Sequence, residues 1–175
     1  MNKINDLPDI IPIFPLSNFI FFPNTSAPLN IFEQIYIQMI DQSIKSNRMI
    51  GMIQPKGLSN PQKNELFKVG SLGKISSFNE TNDGRYVIIL NGISRFNIVD
   101  EVDNGKPFRE FQINYKGFEN DLKIDETDIN FSDLNLIFNY LKKIFEKQGY
   151  VINWSELEKQ NLDQTINTLS MASPF

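Results

Sequence analysis

"NDGRYVIILNGISRFNIVDEV", residues 82–102, is the stretch on which the fold turns. Asp83-Gly84 supplies the positive-φ residues that a tight hairpin turn requires. Tyr86 to Leu90 follows as a nearly unbroken apolar run, which reads as a strand covered on both faces. Gly92 interrupts it, and a glycine inside a strand marks a bulge or a sharp bend. Ile93 to Val102 continues extended, "DNGK" turns, and Phe108 to Tyr115 returns. A long bent strand between two hairpins belongs to an antiparallel β unit.

Working upstream, Val69 to Phe78 is the strand that enters the first hairpin. "PKGLSNPQKNELF" before it is a surface loop rich in Pro, Gly, Ser and Asn. Met49 to Gln54 is a short apolar strand. Glu33 to about Ser46 reads as a helix, since Ile35, Met39 and Ile40 recur at helical spacing with Tyr36 and Ile44 alongside. Arg48, near its end, suits the negative pole of the helix dipole. "FIFFPNTSAPLNIFE", residues 19–33, gives two short extended pieces, Phe19 to Phe22 and Ala27 to Ile31, around a proline turn. Ile10 to Leu16 is a strand whose prolines, Pro12 and Pro15, favour an edge or an irregular course.

Downstream of Tyr115 the composition changes. "GFENDLKIDETD" is acidic and reads as a linker. From Ser132 the period is helical, with Leu134, Ile137, Phe138, Leu141, Ile144 and Phe145 on one face. Gly149 is a stop signal. Ser155 and Glu158 match a capping box, and Asp163 can cap a last helix to about Met171. The organisation expected is α+β: a β subdomain over residues 1–117 with one inserted helix, an acidic linker over 118–131, and a helical subdomain over 132–175. Successive strands with Gly-rich hairpins and a bulge favour a small closed or half-closed barrel.

The 175 residues suffice for one domain with a small appendage. Cysteine and histidine are both absent, which removes thiolate chemistry, the usual general base near neutral pH, and the commonest zinc ligands. The net charge is −4 and the basic stretches, Lys45 to Arg48 and Lys142 to Lys147, are short, which argues against a phosphate-binding surface. No segment approaches the ~20 apolar residues of a membrane span, and no secretion signal opens the chain, so a cytoplasmic location is expected.

No P-loop or G-x-G-x-x-G occurs. Ser71 and Lys74 match S-x-x-K, but in a strand these residues point to opposite faces, so the match is chance. Glu119, Asp121, Asp125, Glu126 and Asp128 lack the spacing of a calcium loop and read as solvated linker. The reading is a binding module with no catalytic residues, no cofactor and no metal.

The pieces "FPLSNFIFFPNTSAPLNIFEQIY", "GMIQPKG", "VGSLGKI" and residues 82–102 resemble the amino-terminal domain of the ATP-dependent Lon protease, a family also found alone in small bacterial proteins and within cereblon. The matching positions are Pro15-Leu16, Phe22-Pro23, Pro28-Leu29, Phe32-Glu33 with Tyr36, the Asp-Gly-Arg turn, Gly92, and Arg95-Phe96. The resemblance is strong from Ile10 to Tyr115 and weaker through the helices. Ile35 departs from it, standing where the family usually has arginine. The chain carries neither the ATPase nor the Ser-Lys peptidase domain, so the likeness does not imply proteolysis.

The resemblance implies a PUA-like pseudo-barrel followed by a helical bundle, and recognition of unfolded or damaged polypeptide, with a protease or a chaperone as a further partner. Because PUA-like barrels include RNA binders, a PUA-like RNA-binding module is the alternative. Most of residues 19–33, including Leu29, Ile31 and Phe32, is expected in the core. Phe19, Phe21, Phe22 and Pro23 are the candidate polypeptide-binding residues. Alternation puts Phe19 and Phe21 on one face and Phe22 on the other, and the choice between core and exposed patch is open at this point. Glu33 and Arg95 are either a structural pair that pins the helix to the barrel or two independent surface charges. Gly84 and Gly92 are structural, and Trp154 anchors a helix on its neighbours.

Overall fold

The computed structural model describes residues 6–57, 64–123, 135–157 and 162–172. The chain divides into two compact units, Met1–Lys123 and Ile124–Phe175.

In the first unit the strands are β1 (Ile10–Pro15), β2 (Ser26–Ile31), β3 (Met49–Ile53), β4 (Val69–Glu80), β5 (Tyr86–Val102) and β6 (Glu110–Asn114), with helix α1 (Gln34–Ile44) between β2 and β3. They form one sheet in the order β2-β5-β4-β3-β1-β6. β1 and β3 run parallel, with Ile13 opposite Gly51, because β2 and α1 carry the chain back before β3. The other strand pairs are antiparallel.

β5 is 17 residues long. Its first half lies between β2 and β4, and its second half also pairs with β6. Three register shifts bend the β4–β5–β6 region: between Leu72 and Gly73, between Ile75 and Ser77, and between Ile98 and Asp100. The first falls beside Gly92, where the sequence predicts a bulge. Each extra residue increases local twist and bends its strand. The expectation of a barrel is corrected in one respect: the product is a curved mixed sheet of six strands, not a closed barrel, and among the described residues β2 pairs with β5 alone.

The core of this unit gathers Ile11, Ile13, Ile53, Leu72, Phe96 and Phe111 with Leu7 and Ile113. Phe96 is fully buried. A Cβ at Gly70 would sit 2.5 Å from its Cζ, and one at Gly51 would sit 2.9 Å away, so two glycines make room for the ring. The Asp-Gly-Arg turn forms where expected, with one correction: Gly84 has φ +79° and its amide donates to the Thr81 carbonyl at 2.9 Å, but Asp83 is not at positive φ.

Two burial expectations are corrected. Phe32 is 66% exposed, since it follows β2 just before α1 and points away from the core that takes Leu29 and Ile31. The Tyr86 to Leu90 run is covered on one face only: Ile88 and Leu90 are buried opposite Leu29 and Ala27, while Val87 and Ile89 are exposed. Arg48, expected at the end of α1, lies past it with φ 61°.

The second unit contains α2 (Asn135–Lys147), α3 (Trp154–Leu157) and α4 (Leu162–Ala172). Phe145, Leu157 and Leu169 are its buried centre, with Phe138, Leu141, Ile152 and Trp154 packed against them. Trp154 meets Phe145 edge-on at 6.2 Å, the anchoring role expected of it. Gly149, at φ +81°, ends α2, and the next amide, of Tyr150, donates to the Phe145 carbonyl at 2.9 Å. Ile144 is exposed rather than packed. α3 begins at Trp154, so Ser155 lies inside it rather than at its cap. Glu158, the side chains of Leu134 and Ile137, and most of the acidic stretch lie outside the described residues. The start of that stretch, Glu119–Leu122, is a 3-10 turn of the first unit. No helix among the described residues is long and apolar enough to cross a membrane.

Candidate functional site

Between β1 and β2 the chain crosses the sheet as an irregular segment, Phe19 to Pro23, with Asn18 and Asn24 at its ends both at positive φ. Asparagine tolerates that conformation better than other non-glycine residues. The segment is held by its carbonyls. Gln54 Nε2 donates to Phe19 O at 3.2 Å, Ser71 Oγ to Phe21 O at 2.5 Å, and Thr25 Oγ1 to Phe22 O at 2.6 Å. Gly92 lets it approach β5: a Cβ there would lie 2.0 Å from Phe22 O. Two main-chain bonds seal this contact, Asn24 N to Gly92 O at 3.1 Å and Gly92 N to Thr25 O at 2.8 Å.

Among the described residues, none of the N–H groups of Phe19, Ile20, Phe21 and Phe22 donates to another protein group. Residues Phe19 to Phe22 border a groove of about 200 Å³ whose walls also include Met52, Val69 and Arg95. Ile20 and Val69 are 47% and 46% exposed.

The four aromatic-segment candidates therefore split. Phe19 and Phe22 are half-buried on the groove. Phe21 is buried, its ring against Gly73 and stacked 6.2 Å from Phe19, as the alternation predicts. Pro23 is buried as well. Ile20 and Val69 were missed by sequence reasoning. Alternation alone would have found Ile20, since it puts this residue with Phe22 on the face opposite Phe19 and Phe21.

Arg95 sits at the groove on β5, but its partner is not Glu33. Asp121 accepts from the Arg95 amide at 2.8 Å, from Nε at 2.9 Å and from Nη2 at 2.6 Å. The guanidinium also lies 4.6 Å over the Phe118 ring. The Asp121 hydrogen bond raises the Arg95 pKa, so the cation is fixed. Glu33 is exposed at the start of α1, where its carbonyl accepts from the Tyr36 and Ile37 amides, and no hydrogen bond or ion pair joins it to Arg95 among the described residues. Asp121, expected as a solvated linker acid, has a side chain only 7% exposed. Ser71 and Lys74 lie in β4, Ser71 buried and Lys74 exposed, consistent with a chance S-x-x-K match.

The groove edged by the Phe19–Pro23 segment is the candidate site of the first unit. The sequence profile of the ATP-dependent protease La (LON) substrate-binding domain matches residues 10–172, and the chain belongs to that family. The Lon protease of Desulfosudis oleivorans is 29% identical over 185 residues, covering 92% of this chain and 22% of the relative. The Lon protease of Cytophaga hutchinsonii is 29% identical over 110 residues, covering 62% of this chain and 13% of the relative. The chain thus spans less than a quarter of the length of these relatives.

Two solved structures share the fold. The Lon N-terminal domain protein of Xanthomonas campestris superposes with TM-score 0.54 at 19% identity, covering 78% of this chain and 73% of that one. The N-terminal domain of the Mycobacterium avium complex Lon protease gives 0.56 at 14% identity, covering 94% and 81%.

Proposed function

We propose that the chain is a non-catalytic polypeptide-binding module that takes unfolded or damaged protein into the groove of Phe19, Ile20, Phe22 and Val69, on a curved sheet of the PUA-like type. One observation carries the reading: the apolar side chains of Phe19, Ile20, Phe22 and Val69 line one groove, and among the described residues the Phe19 to Phe22 amides in the segment at its edge donate to no other protein group. An extended chain can satisfy such donors with its carbonyls while its side chains fill the apolar walls, which is the division of labour in β-strand addition. Folded clients hide both features, so the groove selects polypeptide that has lost its native pairing. A protease or a chaperone is the partner that such capture would serve. The carbonyl-anchored segment supplies rigidity, which limits the ordering cost of binding.

The test is fluorescence anisotropy with a labelled, reduced and carboxymethylated protein as client. Phe19→Ser combined with Ile20→Ser alters the groove and leaves the core residue Phe21 in place. Binding is expected to fall while the circular dichroism spectrum stays unchanged, and wild-type affinity should persist at high salt. Equal binding by the folded double variant would reject this groove. A steep loss of wild-type affinity with salt would instead indicate counterion release and favour a phosphate-bearing ligand.

A further inference from the structure

The chain contains two Asn-Gly pairs, Asn91-Gly92 and Asn104-Gly105. This dipeptide is chemically labile in water, because no side chain shields the glycine nitrogen from the asparagine amide carbon. Reaction needs that nitrogen free and the local backbone able to bend. The fold therefore decides which pair reacts.

Asn91-Gly92 lies inside β5 and is tied down. Gly92 N donates to Thr25 O at 2.8 Å, and Asn91 Oδ1 accepts from Ser26 Oγ at 2.8 Å. Asn104-Gly105 lies in the turn between β5 and β6, and both residues are exposed. Among the described residues the Gly105 amide donates to no protein group. Gly105 has φ +69°, and a Cβ there would meet nothing within 4 Å. Asn104 Oδ1 accepts from the Lys106 amide at 3.2 Å. That bond closes an Asx-turn, which folds the side chain over the Gly105 peptide and draws electron density from Cγ.

The other end of the Asn104 amide faces a buried acid. Its Nδ2 donates to Glu110 Oε2, and Glu110 is only 7% exposed. Lys106 Nζ donates to both Glu110 oxygens at 2.8 Å and lies 5.7 Å over the ring of the buried Phe108. A neutral amide and an ammonium thus share one buried carboxylate.

We propose that Asn104 is a site of spontaneous hydrolytic deamidation, and that the new carboxylate, set against Glu110, loosens the turn between β5 and β6. Gly105 N bonds to Asn104 Cγ and gives its proton to water. The Cγ–Nδ2 bond breaks, and Nδ2 takes a proton from water and leaves as ammonia. Water then opens the cyclic imide at either carbonyl, giving aspartate or isoaspartate. The net change is one water taken up and one ammonia released, with no oxidant or enzyme required. A donor towards Glu110 becomes a second acceptor of like charge, and Lys106 Nζ is left to serve both. Buried acids without enough partners are costly, so the change acts on stability as well as on charge.

The test is incubation of the folded full chain in 18O-labelled water at mildly alkaline pH. Digestion and tandem mass spectrometry then locate the label in each new carboxylate. Asn104 should label at least about tenfold faster than Asn91, whose strand must first open. In urea, where neither site is folded, the two rates should converge. An unlabelled Asn104 in the folded chain overturns the proposal, as does an equal rate at Asn91 or a difference that persists in urea. The consequence is read with Asn104→Asp, which makes the aspartyl product directly. Its urea midpoint should lie at least about 0.5 M below that of wild type. The same substitution should cost less in a Glu110→Gln background, where no carboxylate faces it. A midpoint equal to or above that of wild type overturns the loosening, as does an undiminished loss in the Glu110→Gln background.

Discussion

Gly92→Ala tests the central contact of the groove. A Cβ at this position would lie 2.0 Å from Phe22 O, 3.0 Å from Phe22 C and 3.2 Å from Pro23 Cα. All three are backbone atoms, so no side-chain rotation relieves the clash. Either β5 or the Phe19–Pro23 segment must shift. Overpacking of this kind costs about 1–3 kcal/mol. Shifting the segment also strains the Asn24–Gly92 and Gly92–Thr25 main-chain bonds, each worth about 1 kcal/mol. The expected loss is about 2–4 kcal/mol.

The assay is urea unfolding followed by far-ultraviolet circular dichroism. With a slope of about 2 kcal/mol/M, the midpoint should fall by about 1–2 M. Gly84→Ala is the control, because its φ is +79° but its Cβ would meet nothing within 4 Å. It should lose only the strain of a left-handed alanine, about 1–2 kcal/mol. Client binding by Gly92→Ala should drop together with stability, since the same shift moves the groove wall. A loss below about 0.5 kcal/mol for Gly92→Ala, the range of neutral surface changes, would refute the reasoning.

Four further outcomes are expected. Asp121→Asn should destabilise by about 1 kcal/mol in urea, less than the roughly 3–5 of a fully buried pair because Arg95 is 44% exposed. Phe32→Ser should change stability by less than about 0.5 kcal/mol, where a core phenylalanine truncated to alanine costs about 3–5. The Arg109 hydrogen bond lowers the Glu101 pKa from its ordinary 4.5. The stability this pair adds is therefore complete above that value and lost as pH falls through the lowered one. Glu101→Gln should flatten the acid limb of the urea midpoint against pH. Burial raises the Tyr36 pKa to about 12, so its contribution is complete below the ordinary 10.0 and lost as pH rises towards 12. Alkaline difference absorbance at 295 nm should show a late-titrating phenol that Tyr36→Phe removes.

The sheet was legible because its signals are local. Asp83-Gly84 made the hairpin, Gly92 marked the irregularity, and the helical spacing of Met39 and Ile40 placed α1 within two residues of its observed ends. What escaped depends on partners distant in sequence. Val87 and Ile89 look buried by composition, yet β2 and β4 flank them edgewise and nothing described covers their outer face. Asp121 looked like one more solvated acid, and only the return of the chain to β5 brings it to Arg95. Phe32 shows the same limit, since apolar identity does not say which way a residue leaves a strand end. At the candidate site, the aromatic segment was singled out but not its division into anchors and walls. That division follows from which carbonyls Gln54, Ser71 and Thr25 can reach.

The strand order has a consequence for biosynthesis. β1 draws its neighbours from far along the chain: Ile13 waits for Gly51, and Ile11 waits for Phe111. Tyr115 Oη then reaches back to the Pro8 carbonyl, 107 positions earlier. At roughly 5–20 residues per second, translation separates Ile13 from Gly51 by some 2–8 s and Ile11 from Phe111 by some 5–20 s. Throughout that interval the nascent Ile11–Phe14 stretch has one flank bare. A newborn copy of this chain is itself, briefly, an unpaired apolar strand in need of shelter.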